Sequence, residues 1–114
     1  MRLPNAEAAI VEREKITGYL LNPAHPDNGG KAELFLALGF TRENWRALAD
    51  AFGEIARRAT VTQQIDSPHG SKFIIDDYIE ALGSRAAVRT VWIVDRGSES
   101  PRLVTAYPQQ RPKI

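Results

Sequence analysis

The sequence predicts an α+β fold, in which N-terminal helices pack on a C-terminal four-stranded antiparallel sheet. Three observations carry that expectation. Trp45, Leu48, Ala49, Phe52, Ile55 and Ala56 recur at helical spacing, the mark of an amphipathic helix. After Ala59 the apolar period changes to two. The last third then holds two dense β-forming runs, Val88 to Val94 and Pro101 to Pro108, separated by Asp95-Arg96-Gly97-Ser98-Glu99-Ser100. Two such runs around a Gly-containing loop read as an antiparallel hairpin. Helices first and strands afterwards segregate the two kinds of element, as α+β folds do.

The elements follow in order. Residues 7–11 fit a short strand or a helix start equally well. Between Glu12 and Leu21, Ile16, Tyr19 and Leu20 fall at i, i+3 and i+4, which predicts a helix, weakened slightly by Gly18. Asn22 to Gly30 is dense in breakers and must be an irregular connection. A short helix from Lys31 to about Leu38 buries Ala32, Phe35 and Leu36, and Gly39 stops it. Thr41 caps the long helix, whose Glu43 and Arg57-Arg58 complement the helix dipole. Val61, Gln63 and Ile65 suggest an edge strand, Ser67-Pro68-His69-Gly70 a turn, and Lys72 to Asp76 a second strand. Tyr78 to Arg85 fits no single element, although Gly83 marks a turn. The expected core is Tyr19, Leu20, Phe35, Trp45, Leu48, Phe52, Ile74, Val91 or Trp92, and Val104. Residues 1–108 are expected to form one domain and residues 109–114 a flexible tail.

Bulk properties narrow the function classes. With 114 residues, 43% hydrophobic and 25% charged, the chain suits one ordered globular domain. Net charge is +1. Residues 1–59 carry eight basic and eight acidic side chains, and residues 60–114 carry seven and six. Any RNA binding must therefore come from a local patch, and neither DNA nor a membrane is an expected partner. The absence of cysteine excludes a disulfide framework and a thiol nucleophile. No apolar run reaches membrane-spanning length, and the start lacks a signal-peptide segment. The cytoplasm is the default location.

The hairpin carries Arg89, Thr90, Arg102, Thr105 and Tyr107, an unusual polar set for a central β-ribbon. Strict alternation puts Val88, Thr90, Trp92 and Val94 on one face and Arg89, Val91, Ile93 and Asp95 on the other. It likewise groups Arg102, Val104 and Ala106 against Leu103, Thr105 and Tyr107. Metal-independent RNA cleavage needs a base for the ribose 2′-hydroxyl, an acid for the leaving 5′-oxygen, and a cation for the phosphorane. His25, in the breaker-rich loop, and Lys31, at the next helix start, are candidates for that chemistry with Arg89, Thr105 and Tyr107. Lys72, Thr90 and Arg102 are candidate binding groups. Arginine suits carboxylate and phosphate forks alike, so Arg89 and Arg102 could instead pair with Asp76, Asp77 or Asp95. His69 reads as an exposed turn residue. Trp45 and Trp92 read as core. Adjacent strand residues diverge, so Asp76 and Asp77 do not share an ion, and no metal or cofactor is assigned.

A longer constellation carries a family resemblance. It runs through Leu3-Pro4-Asn5-Ala6, Lys15, Tyr19-Leu20-Leu21-Asn22, His25-Pro26, Lys31-Ala32, Gly39-Phe40, Trp45, Gly70 with Lys72, Val88-Arg89-Thr90-Val91-Trp92 and Pro101 to Pro108. These residues resemble a bacterial domain-of-unknown-function family, found alone and at the C-termini of adhesin-like polymorphic toxins. In layout the chain is similar to the barnase–EndoU–colicin–RelE group of metal-independent ribonucleases. The resemblance implies a small toxin-like endoribonuclease; such a toxin needs a small neutralising protein partner, and genomic pairing with a small acidic protein would favour this reading. The competing expectation is a non-catalytic binding module of a toxin–antitoxin or toxin–immunity pair that uses the same sheet.

Overall fold

A computed structural model describes residues 1–28, 30–81 and 83–109. Most of the expected tail, Gln110 to Ile114, lies outside the described residues. Gln109 N–H donates to Ala87 O (3.0 Å).

Among the described residues, three helices precede a four-stranded antiparallel sheet. The first, α1, comprises Arg13–Lys15 and continues as a π-helical turn, Ile16–Leu20. The wider turn closes with Leu21 N–H on Ile16 O (2.8 Å). It buries Ile16 and Leu20 and leaves Tyr19 half-buried between them. Helix α2 is Lys31–Ala37. It ends at Gly39, whose φ of 99° lets Phe40 N–H return to Phe35 O (3.1 Å). Helix α3 is Trp45–Arg58. Thr41 holds the turn ahead of α3 instead of its first residue: Asn44 N–H donates to Thr41 Oγ1 (3.2 Å) and Thr41 N–H to Asn44 Oδ1 (2.6 Å). That reciprocal pair is capping-box geometry.

The strands are β1, Gln63–Ser67; β2, Gly70–Ala81; β3, Ser84–Asp95; and β4, Arg102–Pro108. Their spatial order is β1-β2-β3-β4, with every neighbour antiparallel. Of the stretch left unassigned from sequence, Tyr78–Ala81 and Ser84–Arg85 form the far half of one long hairpin, pairing Tyr78 with Ala87 and Glu80 with Arg85. Weak alternation in Tyr78-Ile79-Glu80-Ala81 concealed it. Residues 6–8 form a 3-10 turn, and Ile10 makes a parallel bridge to Arg102, covering part of the β4 edge.

One sheet face packs on the helices. Phe73, Ile75, Ile79, Val88, Trp92, Leu103 and Ala106 meet Ile16, Leu20, Phe35, Leu48, Phe52 and Ile55 there. Two core expectations shift by one residue. Ile74 is half-buried on the outer face, because Phe73-Ile74-Ile75 is apolar throughout and alternation could not set its phase. Val104 is half-buried because the β3–β4 register shifts between Val91 and Trp92. Val91 and Trp92 are both buried, on opposite faces. Tyr19 and Trp45 pack against the core while keeping part of their surface exposed.

That register shift is a β-bulge, and it regroups the last strand. Trp92 pairs with Leu103 and Val91 with Thr105, leaving Val104 as the extra residue. Paired residues share a face. Arg102 opposite Ile93, Thr105 opposite Val91 and Tyr107 opposite Arg89 therefore all lie on the outer face. Strict alternation had separated Arg102 from the other two.

Candidate functional site

A cleft of about 620 Å³ opens between α1, the α1–α2 loop and β4. Glu12, Glu14, Lys15, Gly18, Tyr19, His25, Asp27, Arg102, Val104 and Thr105 line it. The bulge brings Thr105 and Arg102 to one side, and the π-helical turn brings Tyr19 to the other. π-Helical turns are often found where a helix serves a site.

Asn28 sets the opposite wall. It is 2% exposed. Its Nδ2 donates to Tyr19 O (2.6 Å), and its Oδ1 accepts from Ala32 N–H (2.9 Å). The end of α1 is thereby tied to the first turn of α2. That joint places Lys31 over Tyr19, with Nζ 4.7 Å from the ring centroid and donating to the phenolic oxygen. Thr105 Oγ1 lies 3.1 Å from the same oxygen. His25 stacks edge-on to the Tyr19 ring at 4.9 Å, and Lys15 Nζ lies 5.4 Å from it.

Tyr19 is the centre of this cluster, and sequence reasoning had placed it in the core. Its i+3 position was legible; the meaning of a hydroxyl there was not. Burial pushes its phenol up, but hydrogen bonds from Lys31 and Thr105 and the charges of Lys31 and Lys15 outweigh that. The net effect holds it below the ordinary tyrosine value.

The other candidates separate into groups. Arg89 lies directly opposite Asp76, and the two form a fork: Nε to Oδ1 at 2.8 Å and Nη2 to Oδ2 at 2.9 Å. The Asp76 hydrogen bonds hold the Arg89 guanidinium above its ordinary value, with a smaller contribution from Tyr107. Arg102 forms a second fork with Asp95, at 2.9 and 3.4 Å. Both arginines thus make the carboxylate pairing that the sequence left open, while Asp77 takes Arg58 (3.3 Å). Arg102 still lines the cleft, whereas Arg89 does not. Tyr107 stands between the two regions, its ring 6.0 Å from Lys31 Nζ.

Two further candidates lie away from the cleft. Thr90 is fully buried on the core face, donating to Ile75 O (2.9 Å) and accepting from Trp92 Nε1 (2.9 Å). Lys72 is exposed near the start of β2, opposite Ile93 on the outer face. His69 is an exposed residue of the β1–β2 turn.

A chain from the structure of the "Contact-dependent growth inhibition toxin - immunity protein complex from Klebsiella pneumoniae 342" superposes with a TM-score of 0.71 at 17% identity. The match covers 88% of this chain and 99% of that one, which shows a shared fold. No curated protein matches the sequence. Residues 2–110 match the domain of unknown function DUF6883. That match spans nearly the whole length, and the chain belongs to the DUF6883 family.

Proposed function

We propose that this domain is a toxin-type endoribonuclease, acting in a bacterial cytoplasm and cleaving RNA through the ribose 2′-hydroxyl without a metal. The observation that carries the reading is the cleft itself. At its Tyr19 wall, groups far apart in sequence meet: Lys31 from a helix and Thr105 from a strand at the phenolic oxygen, and His25 from a loop against the ring. Such convergence of acid–base groups beside cations in an open cleft is what transesterification at phosphorus needs. Similarity in fold to a chain of a toxin–immunity complex supports a toxin-associated role.

In this reading His25, Lys31 and Thr105 work in the cleft, and Arg102 at its rim approaches phosphate. Arg89 and Tyr107 support the floor from the neighbouring strand pair. Lys72 would meet RNA only beyond the cleft, and Thr90 acts through the packing beneath.

One observation favours a second reading. Asp76 and Asp95 already occupy Arg89 and Arg102, which suits a non-catalytic module that binds a protein partner through the outer sheet face. A single experiment separates the two. The purified protein is incubated with bacterial total RNA in EDTA, beside His25→Ala and Thr105→Val. Cleavage that survives the chelator, leaves 2′,3′-cyclic phosphate ends and falls by about 100-fold or more in His25→Ala supports the ribonuclease. Intact RNA with the folded wild type supports the binding module.

A further inference from the structure

We infer that Tyr19, not His25, is the base that takes the proton from the ribose 2′-hydroxyl, with Lys31 and Thr105 as its positioning residues. This rests on the ribonuclease reading and assigns the roles within its cleft.

Asp27 N–H donates to His25 Nδ1 (3.1 Å), so Nδ1 serves as an acceptor and the neutral ring carries its proton on Nε2. The other ring nitrogen, Nε2, is then a donor. A group held in that tautomer stabilises a phosphoryl or leaving oxygen; it has no lone pair to offer the 2′-hydroxyl.

Two lysines and a threonine surround Tyr19. Its oxygen receives the Lys31 ammonium, and the Thr105 hydroxyl is 3.1 Å away. A second cation, Lys15, faces the ring at 5.4 Å. Carboxylates are part of the same lining: Glu12, Glu14 and Asp27 border the cleft, but no carboxylate oxygen is hydrogen-bonded to the phenol among the described residues. The phenol itself donates a long hydrogen bond to the Asp27 backbone carbonyl, at 3.4 Å, against the Lys31 ammonium that it receives. This setting favours the phenolate, and the downward displacement of its titration agrees. Of the three tyrosines, Tyr78 lies under the Arg85 guanidinium (3.9 Å) at the far end of the long hairpin. Tyr107 contacts Lys31 only through its ring, at 6.0 Å.

The step balances. The Tyr19 phenolate accepts the 2′-proton as the O2′–P bond forms. The P–O5′ bond breaks while His25 Nε2–H donates a hydrogen bond to the departing oxygen. That oxygen takes a proton from water in the open cleft, and the resulting hydroxide recovers the proton from Tyr19. The products are a 2′,3′-cyclic phosphate and a free 5′-hydroxyl, with no oxidant or reductant.

The test combines pH profiles of RNA cleavage with ultraviolet titration of the tyrosines. Wild type should show one tyrosine ionising below the others, and Tyr19→Phe should remove it. Lys31→Met should move that titration to higher pH and carry the base limb of the cleavage profile with it. Tyr19→Phe should cut cleavage by about 100-fold or more, while His25→Ala should slow it without moving the base limb. A wild type that cleaves, with Tyr19→Phe within a few-fold of it, overturns the assignment and spares the ribonuclease reading. So does a base limb that His25→Ala abolishes. A wild type that cleaves no RNA overturns both.

Discussion

Thr90 has no solvent to turn to, and its hydroxyl is used twice. It donates to the Ile75 carbonyl and accepts the Trp92 indole N–H. Thr90→Val keeps the shape and strands that N–H in the core, which should cost about 1–3 kcal/mol. Chemical denaturation measures the loss, and the titration of Tyr19 should not change. Leu48, with no exposed surface on α3, gives the apolar counterpart. Leu48→Ala should destabilise by roughly 2–5 kcal/mol, and a midpoint equal to wild type would contradict its burial. Individual side chains of this kind were legible in part. The helical spacing around Leu48 gave its facing directly. Thr90 looked like a ligand group because a sequence does not show which polar side chains neighbouring backbone will satisfy. Tyr19 looked like core for the complementary reason. Its ring does pack inward, and the placement of Lys31, twelve residues later, and of Thr105 on β4 gives its oxygen a second use.

Among the elements, helices and hairpin order were readable, and phase was not. Continuous apolar runs such as Phe73-Ile74-Ile75 satisfy either face, so alternation has no edge to lock on. The bulge at Val104 is invisible to a period of two, yet it places Arg102, Thr105 and Tyr107 together on the outer face. The joint made by Asn28 was also missed. An asparagine between Asp and Gly reads as loop chemistry, although here it satisfies both α1 and α2. The β1–β2 turn is a firmer case. Gly70 has a φ of 141°, and a Cβ there would meet the Val94 carbonyl oxygen at 2.3 Å. Neither the backbone angle nor that contact can relax cheaply, because β3 is held on both sides. Gly70→Ala should therefore cost on the order of 1–3 kcal/mol, while Gly97→Ala, with open space around it, should cost less. Thermal melts of the two variants order them, and the reverse order would place the strain elsewhere.

At the scale of the whole molecule, a near-neutral chain keeps much of its charge in ion pairs, and their response to acid is predictable. Hydrogen bonds from Arg89 hold the Asp76 carboxyl below its ordinary value, and those from Arg102 do the same for Asp95. A depressed carboxylate binds fewer protons in the folded state than in the unfolded one. Stability therefore rises with pH across the interval between the two values. The contribution is complete above the unfolded value and disappears as pH falls through the folded one. Urea midpoints should be nearly level from neutral pH down to about 5 and decline below about 4. The two pairs should not share that decline equally. The Asp76 side chain is 20% exposed and that of Asp95 is 47%, so water screens the second pair more. Asp76→Asn should lower stability at neutral pH, because it leaves Arg89 unpaired, and it should flatten the acid decline. Asp95→Asn should leave the decline close to that of wild type. An acid limb that Asp76→Asn does not alter would mean that the outer-face forks contribute little to folding. The decline would then have to come from other carboxylates, of which Asp66, held low by Ser71 and Gln64, is the next to substitute.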